Sequence, residues 1–216
     1  MVRQARSEAT RKRIIIAAVE TFNEIGYPAA GLGEIVERAH MTKGALYYHF
    51  NSKESLASAI IEEGSASLFN AFRNISESPG PALEGIVHGT FVVVDLFISD
   101  MVARSAIQLL RALGEFNATV AQTYTGWLDE MSARTTAARD EGDLRPNLDP
   151  RAVGETVVGA MLGAELLSTS SGDDFVQRVT RMWEVLLPAI VTDKSLSYFR
   201  EFLARESLRH AAVMTE

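Results

Sequence analysis

Apolar residues recur along this chain at helical spacing almost throughout, and the gaps between the runs mark where helices end. Over residues 7–25 the set Ile14, Ile15, Ala18, Val19, Phe22 and Ile25 falls on one helix face. Gly26 ends that helix and Tyr27-Pro28 makes the turn; the arm before Ser7 is read as disordered on its own. Two short segments follow, 34–39 and 42–50, joined across His40-Met41. In the second, Ala45, Leu46 and Phe50 point one way, which leaves Thr42, Lys43, Tyr47, Tyr48 and His49 on the other. Asn51 or Ser52 caps a long helix over Lys53–Ser76, with Leu56, Ile60, Ile61, Leu68, Phe69 and Phe72 in one stripe.

Ser76-Glu77-Ser78-Pro79-Gly80-Pro81 breaks the chain, and strongly apolar helices over 81–98 and Met101–Leu113 follow. Phe91-Val92-Val93-Val94 has strand propensity, but run length and helical surroundings place it in a buried helix. Residues 117–141 form a helix with Val120, Tyr124, Trp127, Leu128 and Met131 on one face, stopped by Gly142. Asp149 as N-cap and Pro150 as first residue open a helix to about Leu167, ahead of a loop at 168–172. Asp173 caps a helix carrying Phe175, Val179, Met182, Trp183, Leu186 and Leu187, which Pro188 bends or ends. A last helix over about 195–209 carries Leu196, Phe199, Phe202, Leu203 and Leu208. The fold class is all-α, with a three-helix N-terminal domain at 1–51 and a larger helical domain at 52–216.

Composition narrows the function classes. At 216 residues, 47% hydrophobic and 23% charged, the chain matches a soluble globular protein with a substantial core. No uninterrupted 18-residue apolar run is seen, so no membrane span is expected, and residues 1–13 lack the apolar stretch of a signal peptide. The absence of cysteine excludes disulfides, thiolate metal sites and cysteine nucleophiles, and fits a cytoplasmic location. The net charge of −7 is unevenly spread. Up to residue 53 there are eight Lys and Arg (Arg3, Arg6, Arg11, Lys12, Arg13, Arg38, Lys43, Lys53) against five Glu, about +3, so the remainder carries about −10. Such asymmetry points to nucleic-acid contact by the basic end.

Catalysis finds no foothold. There is no Gly-rich phosphate loop, HExxH motif or nucleophile elbow, and Glu62/Glu63 and Asp173/Asp174 suit helix surfaces and caps. His40, His49, His88 and His210 are scattered in sequence, so no metal ligand, cofactor or catalytic residue is expected.

The two short helices and their turn read as a helix-turn-helix, whose second helix enters the DNA major groove. Thr42 is a natural N-cap, Gly44 lets a backbone approach, and Lys43, the Tyr hydroxyls and the first-turn N–H groups suit phosphate oxygens. Glu34-Ile35-Val36, Met41 to Phe50 and Ser52-Lys53-Glu54-Ser55-Leu56 resemble the DNA-binding segment of the TetR family of repressors without a gap. Two positions depart from that pattern. His40 stands where the family has Gly in the turn, and His tolerates positive φ better than most residues. Ala30-Gly31 stands where the family tends to have Thr; Gly can cap, but a hydroxyl for phosphate is missing. On this reading Arg3, Arg6, Arg11, Gly31, Thr42, Lys43, Gly44, Tyr47, Tyr48, His49 and Lys53 face DNA.

Beyond that segment the chain is similar to the γ-butyrolactone-receptor branch of the family. The likeness rests on Val102-Ala103-Arg104, Trp127 ahead of Ala138 and Glu141-Gly142-Asp143-Leu144, and Leu187-Pro188-Ala189-Ile190. It implies that Trp127 lines an effector site. Aromatic and methionine side chains there (Phe91, Met101, Tyr124, Trp127, Met131, Met161, Trp183) suit a mostly apolar small molecule, or equally a plain core. Small residues around Gly159 and Gly163 imply close approach of another helix, either within the chain or across a two-fold axis. The dimer set is Val157, Gly159, Ala160, Gly163, Ala164, Phe175, Val179 and Met182.

The expected protein is therefore a cytoplasmic homodimeric repressor of palindromic operator DNA, released by a small apolar effector such as a γ-butyrolactone. Rivals are a relative sensing drugs or acyl compounds at efflux or lipid genes, a regulator with a vestigial pocket, and a helical enzyme with a buried site.

Overall fold

The structure, a computed structural model, describes residues 2–114 and 117–213, with the backbone alone at 2, 3, 212 and 213. Among the described residues the regular elements are ten α-helices: α1 (Val2–Ile25), α2 (Leu32–Arg38), α3 (Lys43–His49), α4 (Lys53–Ser76), α5 (Ala82–Ser99), α6 (Met101–Leu113), α7 (Ala118–Asp140), α8 (Pro150–Ser171), α9 (Phe175–Ile190) and α10 (Asp193–Val213). Only an isolated antiparallel bridge, Leu144 to Val191, has β geometry there. The all-α reading holds, and Phe91-Val92-Val93-Val94 is helical.

Several boundaries move, each for a local reason. α1 reaches back to Val2, because Gln4, Ala5, Arg6 and Glu8 are good helix formers, so the arm before Ser7 is not a separate segment. Ile25, at the helix end, is exposed instead of core, and Leu208 is 74% exposed on α10. α8 absorbs the supposed serine loop through Ser171 before Gly172 closes it at φ 71°. The hydroxyls of Ser170 and Ser171 bond back to the carbonyls four residues earlier, both at 2.7 Å, which lets serine persist in a helix. The α9 cap is Asp174, not Asp173: its carboxylate accepts from Val176 N at 2.9 Å. Ser52 caps α4 by exchanging hydrogen bonds with Ser55.

Packing divides the chain into two compact units, and the cut differs from the 51/52 boundary read from pattern alone. The first holds Met1–Leu68 and Phe97–Thr123. Ile14, Ile15, Ile35, Leu46, Leu56, Ile60 and Ile61 are its fully buried centre. α6 belongs here because it packs on α1, with Ser105 Oγ donating to Asn23 Oδ1 at 3.0 Å. Asn117 ties the chain to α4 through Ser58 Oγ at 3.1 Å and Glu54 at 3.3 Å.

The second unit holds Phe69–Leu96 and Tyr124–Glu216, with α9 packed on both α8 and α10. Trp183 is its largest sealed side chain, and its indole N–H donates to Thr90 Oγ1 at 2.9 Å. Arg134 fixes α7 to the end of α4, donating to Ser76 O at 3.0 Å and pairing with Glu77 and Glu130. The Arg73 guanidinium beside Glu77 holds that carboxyl below its usual range. α5 is long and apolar enough to cross a membrane, contrary to the composition reading. It carries Glu84, His88 and Asp95, and more than half of it is buried, as expected of a core helix.

Gly64 records how closely α4 and α6 approach: a Cβ there would stand 2.6 Å from both Ala106 Cβ and the Val102 carbonyl oxygen. Gly64→Ala is expected to destabilise the protein by about 1–3 kcal/mol through overpacking. Gly126→Ala, on α7 with open space around it, is expected to stabilise by roughly 0.5–1 kcal/mol. Chemical denaturation of both variants checks the contrast.

Candidate nucleic-acid interface

The first unit presents one helix whose outer face does no packing. α2 starts at Gly31, whose backbone is extended (φ −103°, ψ 151°) and whose N–H donates to Glu34 Oε2 at 2.9 Å. Ile35 and Val36 bury the inner side of α2. The chain leaves α2 through a Schellman arrangement: His40 N–H bonds Glu37 O at 3.0 Å and Met41 N–H bonds Val36 O at 3.1 Å. His40 sits at the position this motif requires to be left-handed, with φ 52°, so the turn survives the replacement of Gly.

α3 then begins as read from sequence. Thr42 Oγ1 accepts from Ala45 N at 3.1 Å, and Leu46 and Phe50 are buried. On the opposite side Thr42, Lys43 and Gly44 are exposed, Tyr47 is 53% exposed and Tyr48 78%. His49 is half-buried, its ring edge-on to Tyr48 at 5.0 Å. Exposure of two tyrosines together is costly unless a partner covers them, and their hydroxyls, Lys43 and the first-turn N–H groups are all donors. Seven helical residues span roughly 10 Å, which fits a major groove about 12 Å wide.

The other basic residues are mostly engaged within the unit. Arg13 donates to Ala39 O at 3.0 Å and so caps the end of α2. Arg38 pairs with Glu20 and Glu24. Arg11 lies 3.4 Å from Glu63 and over the Phe50 ring at 5.6 Å. Lys53 departs from its expected role: its ammonium donates to Tyr27 O, Pro28 O and Ala30 O at 2.9, 3.1 and 2.9 Å, which uses all three N–H groups. It clamps the α1–α2 turn, with the Tyr27 ring 4.7 Å below it. The N–H of Gly31 is likewise taken by Glu34. Arg6 is exposed, and the Arg3 side chain lies outside the described residues.

Sequence comparison agrees with this geometry. The profile of "Bacterial regulatory proteins, tetR family" matches residues 14–60, and that of "Tetracyclin repressor-like, C-terminal domain" matches 80–192. The A-factor receptor protein of Streptomyces griseus is 30% identical over 192 residues, 88% of this chain and 67% of its own. The chain belongs to the TetR family.

Solved structures of TetR-family proteins superpose on it closely. A gamma-butyrolactone receptor (ArpA-like protein) has a TM-score of 0.79 at 28% identity, covering 95% of this chain and 99% of its own. CprB from Streptomyces coelicolor, solved in complex with its biological operator sequence, has a TM-score of 0.79 at 29% identity, covering 94% and 99%. The protein is a helix-turn-helix transcriptional regulator of this family, similar to γ-butyrolactone receptors.

The expected effector residues of this TetR-family chain separate in the structure. Phe91, Met131 and Trp183 are sealed in the second unit's core, with no room for even a water molecule against Phe91 or Trp183. They are corrected to packing roles. Trp127 is half-buried and meets Phe69 and Phe72 of α4 edge-on, at 5.3 and 5.5 Å. Tyr124 and Met161 are half-buried, while Met101 belongs to the first unit and is exposed.

The dimer set also divides. Val157, Ala164, Phe175 and Val179 are buried within their own unit, which withdraws them from any outer surface. Gly159 and Gly163 have nothing within 4 Å of a Cβ, and Ala160 and Met182 are half-buried. Gly154 is the glycine used for close contact inside the chain, its Cβ position 3.2 Å from Met131. Leu166, Leu167 and Val185, which periodicity did not single out, are exposed, Val185 at 73%. The histidines are not all scattered, since His88 and His210 lie with their rings 5.7 Å apart.

Lys43→Ala is expected to weaken binding to operator DNA and to flatten its salt dependence by about 0.9 per phosphate released, about two for a dimer on both half-sites. Measuring affinity across a salt series checks both the intercept and the slope.

Proposed function

We propose that two copies of this TetR-family chain bind a palindromic operator and repress transcription in the cytoplasm until a small, largely apolar molecule releases them. The observation that carries this reading is the exposed row of Lys43, Tyr47 and Tyr48 on a helix fixed from behind by Leu46 and Phe50. The likeness to an A-factor receptor and to a gamma-butyrolactone receptor favours a γ-butyrolactone-like effector.

Dimerisation is assigned to the outer face of α8 and α9. Gly159, Gly163 and Leu166–Leu167 follow one another at helical spacing, and Met182 and Val185 do the same on α9. A two-fold axis across these helices would cover the exposed leucines and valine and let the glycines meet a partner backbone. Two recognition helices would then address half-sites one duplex turn apart, about 34–36 Å.

Release is a population shift between two dimer geometries, and the effector acts only as far as it prefers one of them. Trp127 supplies a route. Its ring leans on Phe69 and Phe72, both on α4, and α4 runs unbroken from Lys53 to Ser76. A guest that displaces Trp127 therefore changes what α4 rests against.

The test begins with operator selection from random DNA, followed by a release screen with lactones, fatty acyl compounds and drugs. Trp127→Ala is expected to keep operator affinity within about twofold and to require about thirtyfold more effector for release, the loss expected of an aromatic anchor. Unchanged induction would assign Trp127 to the core alone. Gly163→Glu is expected to yield folded monomers with much weakened operator binding, seen by sedimentation and circular dichroism. A folded dimer would move the interface elsewhere.

A further inference from the structure

Within the second unit, α5 and α10 bring together three side chains with the chemistry of metal ligands. His88 comes from α5, and Glu206 and His210 stand one turn apart on α10. One donor atom from each lies within 4.8 Å of the other two. Glu206 is 3% exposed and His210 4%, so two of the three polar groups are sealed from water. His88 Nδ1 meets Glu206 Oε2, and His210 Nε2 lies 3.4 Å from the same oxygen.

The state of His210 decides what this cluster is suited to. Its Nδ1 lies 2.5 Å from the Asp95 carboxylate, an acceptor, so Nδ1 carries the proton of the neutral ring. Phe91 stacks on that ring at 5.3 Å and fixes its plane. Nε2 is then left with a lone pair, buried and without a hydrogen-bond partner. A bare buried nitrogen is costly on its own, whereas a carboxylate that orients an imidazole toward an ion is the usual outer support of a zinc ligand.

Geometry and charge fit the same use. Bonds of 2.0–2.1 Å in a tetrahedral site separate ligand atoms by about 3.4 Å. That is the spacing already present between His210 Nε2 and Glu206 Oε2. Arg209 lies 3.1 Å from the other Glu206 oxygen, Oε1, which leaves Oε2 for an ion. A cleft of about 270 Å³, walled by Pro79, Gly80 and Pro81, reaches His88 and Glu206 and offers entry. Ligation through His88 Nδ1 moves that ring's proton to Nε2.

We propose that His88, Glu206 and His210 form a site for a first-row divalent transition-metal ion, zinc foremost, with Asp95 positioning His210. Two imidazoles and one carboxylate are a zinc donor set with a fourth position free, here on the cleft side. The ion would clasp α10 to α5. This assignment is independent of operator recognition.

The test uses the full chain without a purification tag, stripped by a chelator and titrated with Zn²⁺ against a chromophoric competitor. One ion per chain is expected, with a raised melting temperature, and with Co²⁺ the visible spectrum of a tetrahedral site. Glu206→Gln and His88→Gln are expected to weaken zinc at least about a hundredfold, and Asp95→Asn about 10–100-fold, the range for an outer-shell partner. Circular dichroism and operator binding confirm that each variant is folded. His88, partly exposed, keeps the test open should changes at sealed Glu206 disturb folding. Absence of stoichiometric zinc, or equal affinity in the wild type and a folded His88→Gln, would overturn the assignment.

Discussion

A seven-residue helix cannot hold itself in water, because its nucleation cost exceeds what so few hydrogen bonds return. α3 exists only because Leu46 and Phe50 are buried beneath it, each contributing on the order of 1.5–3 kcal/mol by leaving water. Everything the first unit does toward DNA depends on that burial. α1 and α2 form the surface on which those two side chains land, and the Schellman turn at His40 sets the angle of approach. Lys53 and Arg13 close the loops around it by capping carbonyls that would otherwise be left open. The outcome is a rigid mount with an idle outer face, which is what recognition of a base edge requires.

The distribution of charge gains meaning from the same arrangement. The first 53 residues are basic overall, yet Arg11, Arg13, Arg38 and Lys53 direct their charge at partners within the unit. Few cations are left to act as undirected glue. Long-range attraction still works, since a field sums charges whether or not they are paired. Close-range discrimination falls to Lys43, Tyr47 and Tyr48, placed by a helix and not by a flexible arm. An acidic remainder of the chain adds orientation, because it is repelled by the duplex that the basic end approaches.

Much of this was legible in the sequence, and the reason is locality. Helical spacing, the Thr42 cap and the glycine stops at Gly142 and Gly172 depend on residues within a turn or two. The limits of that information show at particular residues. Lys53 looked like a phosphate ligand because its carbonyl partners lie more than twenty positions away. Glycines of one helix looked alike, yet Gly154 packs against Met131 while Gly159 and Gly163 meet nothing in their own chain. Trp183 and Trp127 both read as aromatic lining, but Thr90 seals the first and only the second keeps an open edge. The His88, Glu206 and His210 cluster needs α5 and α10 side by side, which no spacing along the chain encodes.

Signal transmission places one further demand on α4. A helix carries a displacement along its length only if it is continuous and held laterally at both ends. Ser52 and Ser55 fix its start by reciprocal hydrogen bonds, and Arg134 grips its last carbonyls together with Glu77. Between them the helix has no proline, and its one glycine, Gly64, is wedged against Ala106 and so cannot serve as a hinge. Phe69 and Phe72 are therefore the places where a change in the second unit can act on the helix as a whole. Packed interfaces of this kind switch between discrete arrangements instead of yielding gradually, so a small shift at Trp127 is sufficient in principle to select one dimer geometry over another.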